Sequence, residues 1–261
     1  MLLAVDIGNS SIGLGVFDSD GDLKTVGKFA CEKNKTSDEY AVVLKGILSL
    51  NDITVGDITD CIVSSVVPPI TTVIVNAVNK LFGLNAVIVG PGIKTGLNIR
   101  IDNQTQLGAD IVANSVAALE MYRAPVVVVD VGTATTFTVI DEKSVLQGVI
   151  IAQGLKMSLD ALSAGASELP AVSITPPKRI IAKNSQEAMN VGVLYGHGFM
   201  IDGFIEKICE SLGVADVNII ITGGLAQVVM PFCNHKPVFV PNLTFMGLKS
   251  LYFKNKTQRV L

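Results

Sequence analysis

The stretch VVVVDVGTATTF, Val126 to Phe137, drives an unbroken apolar run into an acid, a glycine and a cluster of hydroxyls. Four consecutive valines have the β-branched character of a strand covered on both faces, and Gly132 lets the backbone turn sharply just beyond it. The strand therefore delivers Asp130 and Thr133 to a rim. A carboxylate there can hold a cation or orient water, and hydroxyls with backbone N–H groups in a tight turn can accept phosphate oxygens. Taken alone, the stretch reads equally well as a strand followed by an ordinary polar turn.

A second copy near the N-terminus changes that balance. LLAVDIGNSSIGLGVFD, Leu2 to Asp18, has the same order: apolar strand, Asp6, Gly8, then Asn9, Ser10 and Ser11, then another apolar segment. The match runs on. After Asp6 the chain passes through IGLGVF, turns at DSDGD and resumes as LKTVGKFA; after Asp130 it passes through TTFTVI, turns at DEKS and resumes as VLQGVIIAQG. Each half thus opens strand, phosphate-type loop, strand, turn, strand. Two such halves facing each other would set two acids and two donor-rich loops around one cleft. A further acid, Asp110, lies in the first turn of a helix read from GADIVANSVAALEMY, Gly108 to Tyr122. There an acid complements the helix dipole.

The elements that must position these residues follow from spacing. Thr36 with Glu39 forms a capping-box pattern ahead of Tyr40, Val43, Leu44, Ile47 and Leu48, which recur at helical intervals. CIVSSVVPP, Cys61 to Pro69, reads as a strand stopped by prolines, and Ile70 to Phe82 as a helix closed at Gly83. AVIVG, Ala86 to Gly90, is a short strand. LKMSLDALSAG and the long segment after Asn184 read as helices, with Glu187 at capping-box spacing; Gly192 and Gly196 would let another backbone approach, within the chain or from a second copy. VNIIITGGLA is a core strand ending in Gly223 and Gly224, SITPPKR a surface connector, and PNLTFMGLKSLYF a final helix. This alternation belongs to an α/β layer fold.

With 261 residues the chain can bury a sizeable core, and the duplicated opening favours two domains, 1–122 and 123–261. Charged residues make up 16% and the net charge is −3, which argues against a disordered chain and against an electrostatic nucleic-acid binder. Small ligands are expected. Cys31, Cys61, Cys209 and Cys233 are scattered with no C-x-x-C pair, so free thiols in a cytoplasmic protein are expected rather than zinc or disulfides. The N-terminal apolar run breaks at Asp6 without a basic start, and no run approaches the roughly 20 residues of a membrane span.

VDIGNSSIGLGVFD, SSVVPP, TGLNIRIDNQTQLGAD, VVDVGTATTFTVID, GLKMSLDAL with ELP, and IITGGLA resemble, in order and spacing, the type III pantothenate kinases, from Leu3 to about Leu251. The resemblance implies two actin-like (ribonuclease H-like) domains with a nucleotide cleft between them. It implies phosphorylation of pantothenate by ATP with Mg²⁺, in the first step of coenzyme A biosynthesis, by a cytoplasmic homodimer that acts on neither nucleic acid nor membrane. Carried over, the first phosphate loop falls on Asp6, Gly8, Asn9 and Ser10, with Gly13 just beyond, and the second on Asp130, Gly132 and Thr133. Asp130 is implied in a site for a monovalent cation, K⁺ or NH₄⁺, and Thr133 in contact with ATP; Gly223 and Gly224 would lie by the nucleotide. The aspartate of the family's Gly-x-Asp-Arg motif is Asp110, implied as general base. Gly108, Ala109, Ile111 and Ser185 occupy acceptor-side positions.

Three positions depart from the family pattern: Ile111 stands where an arginine is expected, Ile101 where a tyrosine is expected, and Gln153 where a proline precedes Gly154. Two of them lie on the acceptor side. They leave open a kinase of another small hydroxylated acceptor, or a weakly catalytic or non-catalytic nucleotide-binding regulator of the same fold.

Overall fold

The computed structural model describes residues 1–256. In the first half the chain forms β1 (Leu2–Ile7), β2 (Ser11–Phe17), β3 (Leu23–Ala30), α1 (Ser37–Ser49), β4 (Asp60–Ser65), α2 (Pro68–Phe82), β5 (Val87–Ile88), β6 (Asn98–Ile99) and α3 (Ala109–Met121). The second half forms β7 (Val126–Val131), β8 (Ala134–Ile140), β9 (Val145–Gln153), α4 (Leu155–Gly165), α5 (Ser185–Leu212), β10 (Asn218–Thr222), α6 (Ala226–Val229), β11 (Val238–Phe239) and α7 (Leu243–Lys256).

The duplication seen in the residues is also one of backbone. One sheet runs β3-β2-β1-β4-β5, and the other runs β11-β10-β7-β8-β9 with β6 added beyond β9. In each, the acid-bearing strand pairs antiparallel with the next strand and parallel with a later one. β1 and β7 share one burial pattern, in which every position is buried except the acid, Asp6 or Asp130. Even the irregularities correspond: a register shift falls between Val16 and Phe17 in β2 and between Val139 and Ile140 in β8. A bulge twists the strand that carries it.

Packing explains the rest. Leu3, Val5, Ile7 and Val63 form a core with Tyr40, Leu44 and Leu48 of α1 and Ile70, Ile74 and Ala77 of α2. Thr36 and Glu39 close a reciprocal capping box on α1, and α2 ends at Gly83 with φ 68°, a left-handed conformation that favours glycine. The prolines expected to stop β4 instead open α2, with Pro68 in its first turn, where a missing N–H costs nothing. In the second sheet Val127, Val129, Val131 and Ile221 pack with Leu155 and Leu159 of α4 and Met189, Val193, Ile201 and Ile205 of α5. Asn184 caps α5 by accepting the Glu187 N–H at 2.8 Å, while the Glu187 carboxylate pairs with Arg179 rather than completing a capping box.

Residues divide into two units, one of 1–96, 102–117 and the final helix α7, the other of 97–101 and 118–242. This differs from a division at 122/123 because α7 packs on β1, β2 and β4 of the first sheet, and because β6 pairs with β9 of the second. Among the described residues no helix is long and apolar enough to cross a membrane. All four cysteines are free thiols.

Candidate active site

In the first unit the loop after β1 is closed by the Gly8 N–H, which donates to the Ser11 carbonyl at 3.0 Å, and is tethered where the Cys31 N–H donates to the Ser10 carbonyl at 3.1 Å. Asn9 and Ser10 are exposed at its tip. The register partner of Asp6 on β4 is Ser64, whose hydroxyl is buried without a hydrogen-bond partner. Gly13 has a packing reason: a Cβ there would stand 2.9 Å from the Phe245 ring of α7, which lies flat against β2 at Gly13 and Gly15.

Asp110 sits in the first turn of α3. Its Oδ1 accepts the Ile111 N–H at 2.8 Å. Burial raises its carboxyl above the ordinary value of 3.8, against the backbone hydrogen bonds that lower it, and no charged side chain contributes to the shift. A Cβ at Gly108 would meet Asp110 Oδ1, the end of a side chain that can turn aside, so the glycine leaves the carboxylate its present rotamer. Ile111 is buried at 9% exposure in the place of the expected arginine, and Ala109 is buried beside it. Helix α7 fixes α3 in turn: Gly247 abuts the Ala113 carbonyl with no room for a Cβ, and the Thr244 hydroxyl donates to Asn114 Oδ1 at 2.8 Å. One helix thus braces both the Asp110 helix and the hairpin that follows Asp6.

In the second unit three glycines converge on the loop after β7. The loop closes through the Gly132 N–H to the Ala134 carbonyl at 3.0 Å. Gly223 has φ 97°, and a Cβ there would lie 2.5 Å from both Asp130 Oδ1 and the Val131 carbonyl oxygen. Gly154, which opens α4, lies against the carbonyl oxygens of Gly132 and Thr133 with no space for a side chain. The Leu225 N–H donates to the Val131 carbonyl at 3.2 Å, which docks the Gly223–Gly224 turn on the strand end; Gly224 is exposed in that turn. Asp130, Gly132, Thr133 and Gly223 are therefore one cluster. The register partner of Asp130 on β10 is the buried Thr222, matching the Asp6 and Ser64 pair of the first sheet.

Ser185 is exposed at the first position of α5. Its neighbours Asn184 and Gln186 help line a cavity of about 330 Å³ with Thr175, Lys178, Arg179 and Asn190. Asn190 holds that wall in place, accepting the Thr175 N–H at 2.8 Å and donating to the Ser173 carbonyl at 3.2 Å. Sequence spacing read α7 as a final helix but gave no packing role to α7, Gly154 or Gly247. Their signal is a glycine in an otherwise good helix or at a strand-to-helix junction, and its meaning depends on a neighbour far along the chain.

A family model for type III pantothenate kinase matches residues 2–207. A type III pantothenate kinase from Shouchella clausii is 41% identical, over 98% of this chain and 100% of the relative, and one from Bacillus cytotoxicus is 38% identical, over 98% and 97%. Among solved structures, the Acidaminococcus fermentans (R)-2-hydroxyglutaryl-CoA dehydratase component A superposes with a TM-score of 0.55 at 12% identity, covering 98% of each chain. The activator of the 2-hydroxyisocaproyl-CoA dehydratase from Clostridium difficile gives 0.54 at 10% identity, covering 100% of this chain and 97% of that one. At such identities these structures speak to the fold alone, the actin-like α/β class.

Proposed function

The chain belongs to the type III pantothenate kinase family, enzymes that use ATP to phosphorylate pantothenate in coenzyme A biosynthesis, and from that premise we propose that Asp110 is its general base. The observation that carries this assignment is Asp110 itself, a partly buried carboxylate in the first turn of α3 that is raised by burial and engaged by one backbone N–H. In the reaction the acceptor hydroxyl oxygen forms a bond to the γ-phosphorus as the bond to the bridging oxygen breaks, ADP leaves, and the hydroxyl proton passes to a carboxylate. Asp110 Oδ1 is engaged by the Ile111 N–H, so Oδ2 is the oxygen assigned to that proton.

Each unit contributes one phosphate loop to this reading. Gly8, Asn9 and Ser10 with Asp6 and Gly13 form the first; Thr133 with Gly132 forms the second, and Gly223 and Gly224 offer side-chain-free backbone to the nucleotide. Mg²⁺ accompanies ATP and neutralises phosphate oxygens. A monovalent cation, K⁺ or NH₄⁺, is assigned to Asp130. The fit is chemical: a carboxylate and the Val131 carbonyl lie where a Cβ on Gly223 would intrude, a set of hard oxygens suited to such an ion. Gly108, Ala109, Ile111 and Ser185 are assigned to the acceptor side. The enzyme is proposed to work in the cytoplasm as a homodimer, with α5 offering the shared face. The test is ADP release measured with and without pantothenate for the wild type and for Asp110→Asn. Pantothenate-dependent release that the asparagine leaves intact would remove Asp110 from the mechanism.

A further inference from the structure

His197 lies in the middle of α5, only 5% exposed, and both of its ring nitrogens meet backbone carbonyls. Nδ1 is 2.9 Å from the carbonyl oxygen of Val193, one turn back on its own helix, and Nε2 is 2.9 Å from that of Gln153, the last residue of β9. The Val193 contact stays within α5. The Gln153 contact reaches across to a different element, and a proton on Nε2 makes the histidine its donor. The adjacent residue fixes the helix from another side: Gly198 abuts the Phe232 carbonyl so closely that no side chain fits. Residues 197 and 198 therefore anchor α5 at two points.

Gln153 stands one residue before Gly154, and Gly154 is the residue whose α-carbon lies against the carbonyl oxygens of Gly132 and Thr133. Ala134, on the far side of that loop, is the register partner of Gln153 in the β8–β9 ladder. The Gly154 carbonyl is fixed as well, accepting the Ser158 N–H at 2.9 Å and its hydroxyl at 3.0 Å. The Gln153–Gly154 junction is thus pinned by His197 at one carbonyl, by α4 at the next, and by the loop itself.

We propose that His197 is a positioning residue for the second phosphate loop, acting through the Gln153 carbonyl to hold Gly154 against Gly132 and Thr133. A loop whose N–H groups must face a polyphosphate gains from being fixed before the ligand arrives, because ordering it on binding would cost affinity. Where the family pattern places a proline before this glycine, this chain has Gln153, whose backbone lacks a ring to restrict it. The histidine supplies a restraint from outside the strand. The inference rests on the reading that the loop holding Asp130 and Thr133 receives the nucleotide.

The test compares His197→Phe, which keeps a ring but removes both nitrogens, with His197→Gln, which retains a donor. The readouts are far-UV circular dichroism, amide hydrogen exchange of residues 130–136 and 153–158 in the ligand-free protein, binding of the non-hydrolysable analogue AMPPNP with Mg²⁺, and the Michaelis constant for pantothenate. Losing a hydrogen bond of this kind to a backbone carbonyl corresponds to about a tenfold weakening. The expected result for His197→Phe is faster exchange in both segments, AMPPNP binding weaker by about tenfold, and an unchanged pantothenate constant, with partial recovery in His197→Gln. Unaltered exchange at the loop in folded His197→Phe overturns the proposal. So does an equal loss for both ligands, which would mark a general packing defect. If His197→Phe does not fold, His197→Gln and Gly154→Ala carry the test, the latter expected to loosen the same loop and its AMPPNP binding. Should Thr133→Val leave AMPPNP binding intact, the nucleotide reading of the loop fails, while the exchange measurement still judges the clamp.

Discussion

At the scale of single residues, the protein partly buries a carboxylate at the head of α3, where burial is the main influence on its titration. Asp110 is held by one backbone N–H, and no charged side chain contributes to its upward shift. A carboxylate raised by burial favours its protonated form in the native state. The stability that this provides is complete below 3.8 and is lost as pH rises through the higher native value. Asp110→Asn, which carries no charge, is therefore expected to melt at a higher temperature than the wild type at neutral pH, with the gap closing as pH falls toward 3.8. The same substitution should lower turnover by about 10² to 10⁴, the range of a positioned general base, while leaving ATP binding unchanged. Thermal melts across pH, set beside turnover, check both halves; a melting gap that does not vary with pH would contradict the burial argument. Ile111 extends the point. An arginine there would bring a fixed charge and a fork of donors to an acceptor that carries a carboxylate. A charge-assisted hydrogen bond contributes about 1.5–3 kcal/mol, or roughly ten- to a hundredfold in affinity. Ile111→Arg is thus expected to lower the Michaelis constant for pantothenate, leave that for ATP alone, and move the acid limb of the rate profile downward by stabilising ionised Asp110. A tight wild-type constant that the arginine does not improve would mean that another cation, such as Arg100 or Lys156, already does this work.

At the scale of elements, the Asp110 helix α3 and the hairpin after Asp6 depend on α7, a helix far along the chain. α7 presses Phe245 onto Gly13 and Gly15 and sets Gly247 against the Ala113 carbonyl. Gly247→Ala must push α7 from α3, and overpacking of this kind costs about 1–3 kcal/mol. The expected outcome is a lower melting temperature together with a loss of turnover that exceeds the loss of folded protein, since Asp110 rides on the displaced helix. Melting curves and specific activity at a temperature where the variant is fully folded separate the two. This dependence also shows what the sequence could reveal. The paired hairpins, the capping box at Thr36, the left-handed stop at Gly83 and the start of α5 were legible because each is written in residues a few positions apart. The two-residue strands β6 and β11 were not, because so short a run carries no periodicity, and for β6 the partner strand β9 also lies far along the chain. Gly154, Gly223 and Gly247 look alike in sequence. What makes each indispensable is the carbonyl or carboxylate that lies against it, and that is fixed only by tertiary packing.

At the scale of the whole molecule, α5 leaves one of its faces open. Among the described residues nothing lies within 4 Å of where a Cβ on Gly192, Gly196 or Gly203 would stand, and Phe199, 55% exposed, falls among them at intervals that bring all four to one side of the helix. Tyr195 lies beside Phe199 with ring centroids 6.1 Å apart and the planes tilted by 50°. Small residues flanking a large apolar one allow a second helix to approach closely and receive the ring, and in a two-fold dimer the same face serves both copies. Burying a phenylalanine side chain contributes about 1.5–3 kcal/mol, and two-fold symmetry counts it twice. We expect the wild type to sediment as a dimer, and Phe199→Glu, which sets two carboxylates against each other at the symmetric contact, to sediment as a monomer. Because a dimer draws stability from mass action, the wild-type melting temperature should rise with protein concentration, while that of the variant should not. Sedimentation velocity with melts over a hundredfold concentration range decides the matter. A wild type that sediments as a monomer would rule out the dimer, and a dimeric Phe199→Glu would place the shared face elsewhere than on α5.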